Sequence, residues 1–297
     1  MNAVALVTPT YEPDLERCAL LCESVDRYVT AFTKHHLIVP DDELALFARF
    51  NGTRREVLPL SQFLPAWLKP LPRFVQRKHR RYWWSLRVRP VSGWHVQQFV
   101  KIAAASRFPE ARTCMLDSDV VFFRPFDASG FAPPHPAPLF VQPKEIAADA
   151  PLHAPWVRSA HRLLGLPEPG FPADDFIGHI IFWDRRAVRA MLERIEQVGG
   201  VEWLEALCRA RDISEYTLYG YFVRNSASLM ADHRGTTKDL CLSYWDGAAL
   251  DQSAVERMLR AAAPHHVAFS AASFSGTPVQ QVRAVLDRLA HSEKRVA

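Results

Sequence analysis

Thr113-Cys114-Met115-Leu116-Asp117-Ser118-Asp119-Val120-Val121-Phe122-Phe123 is the stretch on which the fold turns. An apolar strand runs into two aspartates and then resumes. Along an extended chain, residues i and i+2 point to the same side, so the Asp117 and Asp119 carboxylates can converge. Like charges side by side are unfavourable unless something positive lies between them, and an acid pair in apolar surroundings is costly. Hard divalent cations take oxygen ligands, and Mg²⁺-type ions commonly use one or two carboxylates together with substrate phosphates. The pattern points to a metal bridging protein and diphosphate. For a bare D-x-D, a surface turn or a salt-bridged acid is the plainer alternative.

Outward from this stretch, short apolar strands alternate with helix-period segments, the pattern of an α/β protein. On the N-terminal side, Ala3–Thr8 reads as a first strand, and Pro13 opens a helix with Leu15, Cys18, Ala19, Cys22, Val25 and Val29 on one face. His36–Val39 and Arg55–Leu60 read as strands, and Trp94–Phe108 as a helix entered from Gly93. On the C-terminal side, strands are expected at Leu139–Gln142 and within Asp174–Trp183. Helices are expected at His153–Leu164, Arg185–Gln197, Glu202–Arg211 and Ser214–Phe222. A helix near Val255, a short strand His266–Phe269 and a helix from Pro278 complete the pattern.

With 48% hydrophobic and 23% charged residues over 297 positions, the chain is neither disordered, collagenous nor coiled-coil. No stretch is apolar for long enough to span a bilayer, and Met1–Thr10 lacks the basic start and cleavage site of a signal peptide. A soluble, cytoplasmic protein is expected. The five cysteines form no CxxC pair and read as small apolar fillers. The net charge of +4 hides an asymmetry: Arg73, Arg77, Lys78, Arg80, Arg81, Arg87 and Arg89 cluster with no acid among them, leaving the rest net negative. Tyr82, Trp83 and Trp84 interleave with these cations. Such a run suits an anionic membrane surface or an anionic acceptor better than a nucleic-acid duplex. A solvated loop with packed tryptophans is the simpler reading.

Taken in order, five segments resemble the GT-A-fold glycosyltransferases, specifically bacterial transferases that use nucleotide sugars. Val7-Thr8-Pro9-Thr10-Tyr11 is similar to their first strand and nucleotide-binding turn. Trp94-His95-Val96-Gln97-Gln98-Phe99-Val100-Lys101 is similar to the helix before their metal strand, and Leu116-Asp117-Ser118-Asp119-Val120-Val121-Phe122 to that strand. Asp174-Asp175-Phe176-Ile177-Gly178, followed by Phe182-Trp183, is similar to their donor-sugar and acceptor segment. Ser214-Glu215-Tyr216-Thr217-Leu218-Tyr219-Gly220 is similar to an acidic, aromatic helix start.

The resemblance implies a mixed α/β sheet flanked by helices in one domain over 1–297. Residues 1–125 would hold nucleotide and metal; 126–297 would bind the acceptor and carry the C-terminal helices. It implies a nucleotide-diphosphate sugar, UDP-linked by preference, bound by Thr8, Thr10, Tyr11, Gln98, Lys101, Asp117 and Ser118. Mn²⁺ or Mg²⁺ would sit on Asp117, Asp119 and a late histidine, His265 or His266. Glu215 is the preferred base for an acceptor hydroxyl, with Asp174 and Asp175 on the sugar. The acceptor would be a polysaccharide or lipid-linked glycan, with peripheral contact to an anionic membrane face and no nucleic-acid partner. Two other readings stay open. One is a transferase-like protein that binds a nucleotide or anionic glycan without turnover. The other is a nucleic-acid or membrane-surface binder acting through residues 73–89.

Overall fold

The computed structural model describes residues 4–72, 74 and 81–293. Arg73, Arg77, Lys78 and Arg80 of the basic run lie outside the described residues. The expected mixed α/β architecture is present. The central sheet is built from β1 (Val4–Pro9), β2 (His35–Val39), β3 (Arg55–Pro59), β4 (Arg112–Leu116) and β6 (Ile180–Asp184). Its order is β6-β4-β1-β2-β3. β1 runs parallel to β2 and β4, β2 parallel to β3, and β6 antiparallel to β4.

Every residue of β1, β2 and β4 is buried. That explains why their sequences are continuous apolar runs and do not alternate: both faces of the sheet are covered. The period-2 geometry still sorts the side chains. Val4, Leu6, Cys114, Leu116, Ile180 and Phe182 pack with Leu21 and Val25 of α1 (Leu15–Tyr28). Val7, Met115, Ile181 and Trp183 pack instead with Val96, Phe99, Val100 and Ala103 of α2 (Gly93–Arg107). α3 (His153–Leu164), α4 (Arg185–Gly199), α5 (Trp203–Ala210) and α6 (Glu215–Arg224) extend this second layer. Gly220 of α6 permits a close approach, since a Cβ there would lie 2.2 Å from the ring of buried Phe176.

The run 113–123 is not one strand. After Leu116 the chain turns, with the Val120 N–H donating to the Asp117 carbonyl at 3.2 Å. β5 (Val120–Phe122) then joins a separate sheet of order β7-β8-β5 with β7 (Cys241–Tyr244) and β8 (Ala268–Ala271). α7 (Gln252–Arg260) and α8 (Val279–Glu293) pack on that sheet through Val255, Leu259, Val282 and Val285. The two aspartates therefore mark the joint between two sheets. The basic segment, expected as loop, contains short antiparallel strands at Tyr82–Trp84 and Val91–Ser92, the first also paired with Lys69–Pro70. All five cysteines are buried. Among the described residues no helix is long and apolar enough to cross a membrane.

His35 on β2 is fully buried between Thr8 and Arg55. Arg55 Nε donates to its Nδ1 at 3.2 Å, so the ring proton sits on Nε2, which donates to Thr8 Oγ1 at 3.0 Å. Burial, then the adjacent Arg55 charge, holds its pKa well below the ordinary 6.5. The folded ring stays neutral while the unfolded one gains a proton, so stability is present above pH ~6.5 and is lost as pH falls below it. The expected slope is about 1.4 kcal/mol per pH unit from this ring alone. Denaturant titrations at a series of pH values should show it, and His35→Gln should flatten it. An unchanged slope in the variant would refute the assignment.

Candidate functional site

The chain enters the central sheet at β1, winds outward through β2 and β3, and returns on the other side at β4. The carboxyl ends of β1 and β4 thus flank a topological switch point, where open α/β sheets place their ligands. Thr10 and Tyr11 follow β1 there; Asp117, Ser118 and Asp119 follow β4. The location is a consequence of strand order alone.

A buried polar cluster anchors the turn. Lys101 Nζ, from α2, donates to Asp117 Oδ1 at 2.7 Å, Glu215 Oε1 at 3.0 Å and the Tyr216 hydroxyl at 2.9 Å. The Glu215 N–H in turn donates to Gln98 Oε1 at 3.1 Å. Ser214 caps α6 by accepting from the Thr217 N–H, which brings Glu215 into the first helical turn. Burial works to raise the Asp117 carboxyl, but Lys101 and His179 outweigh it and hold its pKa below the usual carboxylate range.

This arrangement corrects two expected roles. An ammonium has three donors, and all of those on Lys101 are engaged by protein groups, leaving none directed at a diphosphate. Glu215 is buried and ion-paired, whereas a general base must reach the proton it abstracts. Both residues position Asp117, a third of whose side chain remains exposed (33%).

Asp119 lies on the other arm of the turn. Its Oδ2 accepts from the Ser273 N–H at 3.1 Å, while Oδ1 is buried. The ring of His179, buried just before β6, faces that oxygen, with Nε2 3.9 Å away. Ser243 Oγ donates to the Cys241 carbonyl at 3.4 Å, so it accepts from His179 Nδ1–H at 2.9 Å. The ring is stacked on Trp245 as well. Nε2 is thereby turned toward the Asp119 carboxylate. The Ser270 hydroxyl, fully buried on β8, is the donor beside this carboxylate. Burial and the charge of Asp117 raise the Asp119 pKa, against the pull of His179. Asp14, beside Arg17 at 3.7 Å, completes the acid cluster. Burial first, then Asp119 and Asp117, lift it to about 6 despite Arg17.

The other expected residues fall in varied places. Thr8 is withdrawn into the core by its bond to His35, so it is not a base contact. Thr10 is buried with its N–H on the Ile38 carbonyl, whereas Tyr11 is half-buried beside Asp14. Gln98 keeps a buried, unpartnered Nε2. Ser118 hydrogen-bonds Asp14. Asp174 accepts from the Lys144 N–H and pairs with Arg224. Asp175 accepts from the Ile177 N–H and lies 3.9 Å from His153. These are turn and strand-end roles, and no bond carries either aspartate to Asp117 or Asp119. His266 Nδ1 accepts from the Ala263 N–H, and its ring lies against that of His265. Among the described residues, no hydrogen bond or ion pair joins either histidine to the acid turn.

Asp14, His179, Ser243 and Tyr216 are the residues that sequence reasoning missed. Only His179 had a readable signal, as a polar residue immediately ahead of a buried strand. Among the described residues no group of three or more His, Cys, Asp or Glu side chains is gathered to hold a metal. Asp119 and His179 pair as one carboxylate and one imidazole. No curated protein matches the chain. A family model matches residues 2–293. The chain accordingly belongs to DUF6492, a family of unknown function.

Proposed function

We propose that the protein is a metal-dependent glycosyltransferase of the GT-A type, moving a sugar from a nucleoside diphosphate, UDP by preference, to a hydroxyl of a polysaccharide or lipid-linked glycan. One observation carries the reading: a buried imidazole and the Asp119 carboxylate lie 3.9 Å apart at the sheet's switch point, with Nε2 turned toward the acid. A carboxylate beside an imidazole suits Mn²⁺. Two protein ligands leave positions for phosphate oxygens, as such ions favour. Strand order supports the same reading, since β1 and β4 place Tyr11 and the acid turn on one crevice.

Asp119 and His179 would hold the metal. When bound, it would stabilise the negative charge of the departing diphosphate. Ser243 fixes the ring so that Nε2 faces Asp119. Lys101 keeps Asp117 ionised and the turn rigid, and Tyr11 offers a ring for the base. Asp117 is the exposed carboxylate available to a sugar hydroxyl or the ion.

The test is thermal stability against nucleoside diphosphates and nucleotide sugars, with and without Mn²⁺, beside an assay for released nucleotide. A ligand at about 100 times its Kd adds roughly 2.7 kcal/mol. For a chain of this size that is a rise of about 4 °C. A rise needing both nucleotide and Mn²⁺, with turnover, is expected. The same rise without turnover on any acceptor would favour a binding protein. No rise would overturn the donor site.

A further inference from the structure

We infer that the three-stranded basic hairpin formed by Lys69–Pro70, Tyr82–Trp84 and Val91–Ser92 docks onto an anionic bilayer surface. Alternation on the strand sends Trp83 inward, where it is buried with Val88 and Val91 in the main core. Trp84 points outward, 41% exposed, directly across from exposed Lys69. In the connection that follows, Leu86 is 97% exposed, and Arg87 and Arg89 are exposed on either side of Val88. The Ser85 hydroxyl accepts from the Arg87 N–H at 3.0 Å, shaping the turn at Leu86.

A lone exposed leucine needs no explanation. A fully exposed leucine two residues from an outward tryptophan, with Lys69 across from that tryptophan and Arg87 and Arg89 exposed just after the leucine, is a different matter. Tryptophan favours the headgroup level of a bilayer, and cations near an anionic leaflet add attraction. Glu202, an acid on this side, accepts from the Trp67 indole, over which Arg87 also lies. A duplex nucleic acid would be met by a wider charge stripe and has no use for an aliphatic tip.

The hairpin is also fastened to the body. Arg81, at its base, pairs with Asp42 and with buried Glu43, and the other Glu43 oxygen accepts from the Glu12 N–H at 2.8 Å. A docked hairpin is thereby connected to the loop that follows β1. The inference stands apart from the donor chemistry and does not depend on it.

The experiment is co-sedimentation of the full chain with vesicles of phosphatidylcholine and phosphatidylserine, against phosphatidylcholine alone. Binding to the anionic vesicles, weakening as salt rises, is expected. Arg87→Ser and Arg89→Ser should each lower affinity about fivefold. Leu86→Asp should abolish binding, and because these side chains are exposed, melting temperature should not move. Thermal shift with nucleotide and Mn²⁺ should be the same in all three. Absence of binding, equal binding to neutral vesicles, or binding indifferent to Leu86→Asp would overturn the inference. So would tighter binding to single-stranded RNA that survives Leu86→Asp.

Discussion

Replacing Lys101 with methionine is expected to destabilise the protein by about 3–5 kcal/mol, because it leaves the buried Glu215 carboxylate, and half-buried Asp117 beside it, without their cation. Lys101 is held protonated: burial opposes its charge, but Asp117, Glu215 and the Tyr216 ring and hydroxyl outweigh that and raise its pKa well above the ordinary value. Methionine matches the stem and removes the charge. At about 1.6 °C per kcal/mol for a chain of this length, the midpoint should drop by about 5–8 °C. The double variant Lys101→Met with Glu215→Gln should recover a substantial part of the loss, since one uncompensated charge is gone. This pattern separates two roles for the lysine. A ligand for diphosphate would, on removal, cost nucleotide affinity and little stability. A loss below about 1 kcal/mol, or a double variant no better than the single, would show that the cluster does not hold the turn in place.

The central sheet was legible because burial on both faces leaves an unbroken apolar run, and β1, β2 and β4 are such runs. The acid turn was legible for the opposite reason, being polar where the run predicts apolar. Its true shape was not. Met115 and Val121 have the same character, and nothing local states that one belongs to the central sheet and the other to β7-β8-β5. That division is set by pairing with Ala268–Ser270, far along the chain. The partners of Lys101 were hidden likewise, since Glu215 lies 114 positions away. Glu215 at a helix start looked like a base or a dipole partner; only tertiary packing makes it a counterion. The histidines misled because His265-His266 sits conspicuously after Pro264, whereas His179 is one isolated ring. Its neighbours Ser243 and Asp119 come from separate strand ends, and no spacing rule joins them.

That contrast sets the second large effect. With a nucleoside diphosphate present, Mn²⁺ should bind the wild type, and Asp119→Asn should weaken it on the order of 100-fold or more, given what second-layer losses alone cost. His179→Gln should weaken it by a comparable factor. Ser243→Ala leaves every proposed ligand in place but frees the ring, and about 10–100-fold is expected. His265→Gln with His266→Gln should leave binding unchanged. Electron paramagnetic resonance of free and bound Mn²⁺ measures all four without recourse to turnover. Because the proposed site has two protein ligands, binding without nucleotide should be weak in every case. Loss of affinity on His265→Gln with His266→Gln, beside an indifferent His179→Gln, would move the third ligand back to the C-terminal pair. Indifference of all variants would mean that the facing side chains of Asp119 and His179 do not mark a metal site.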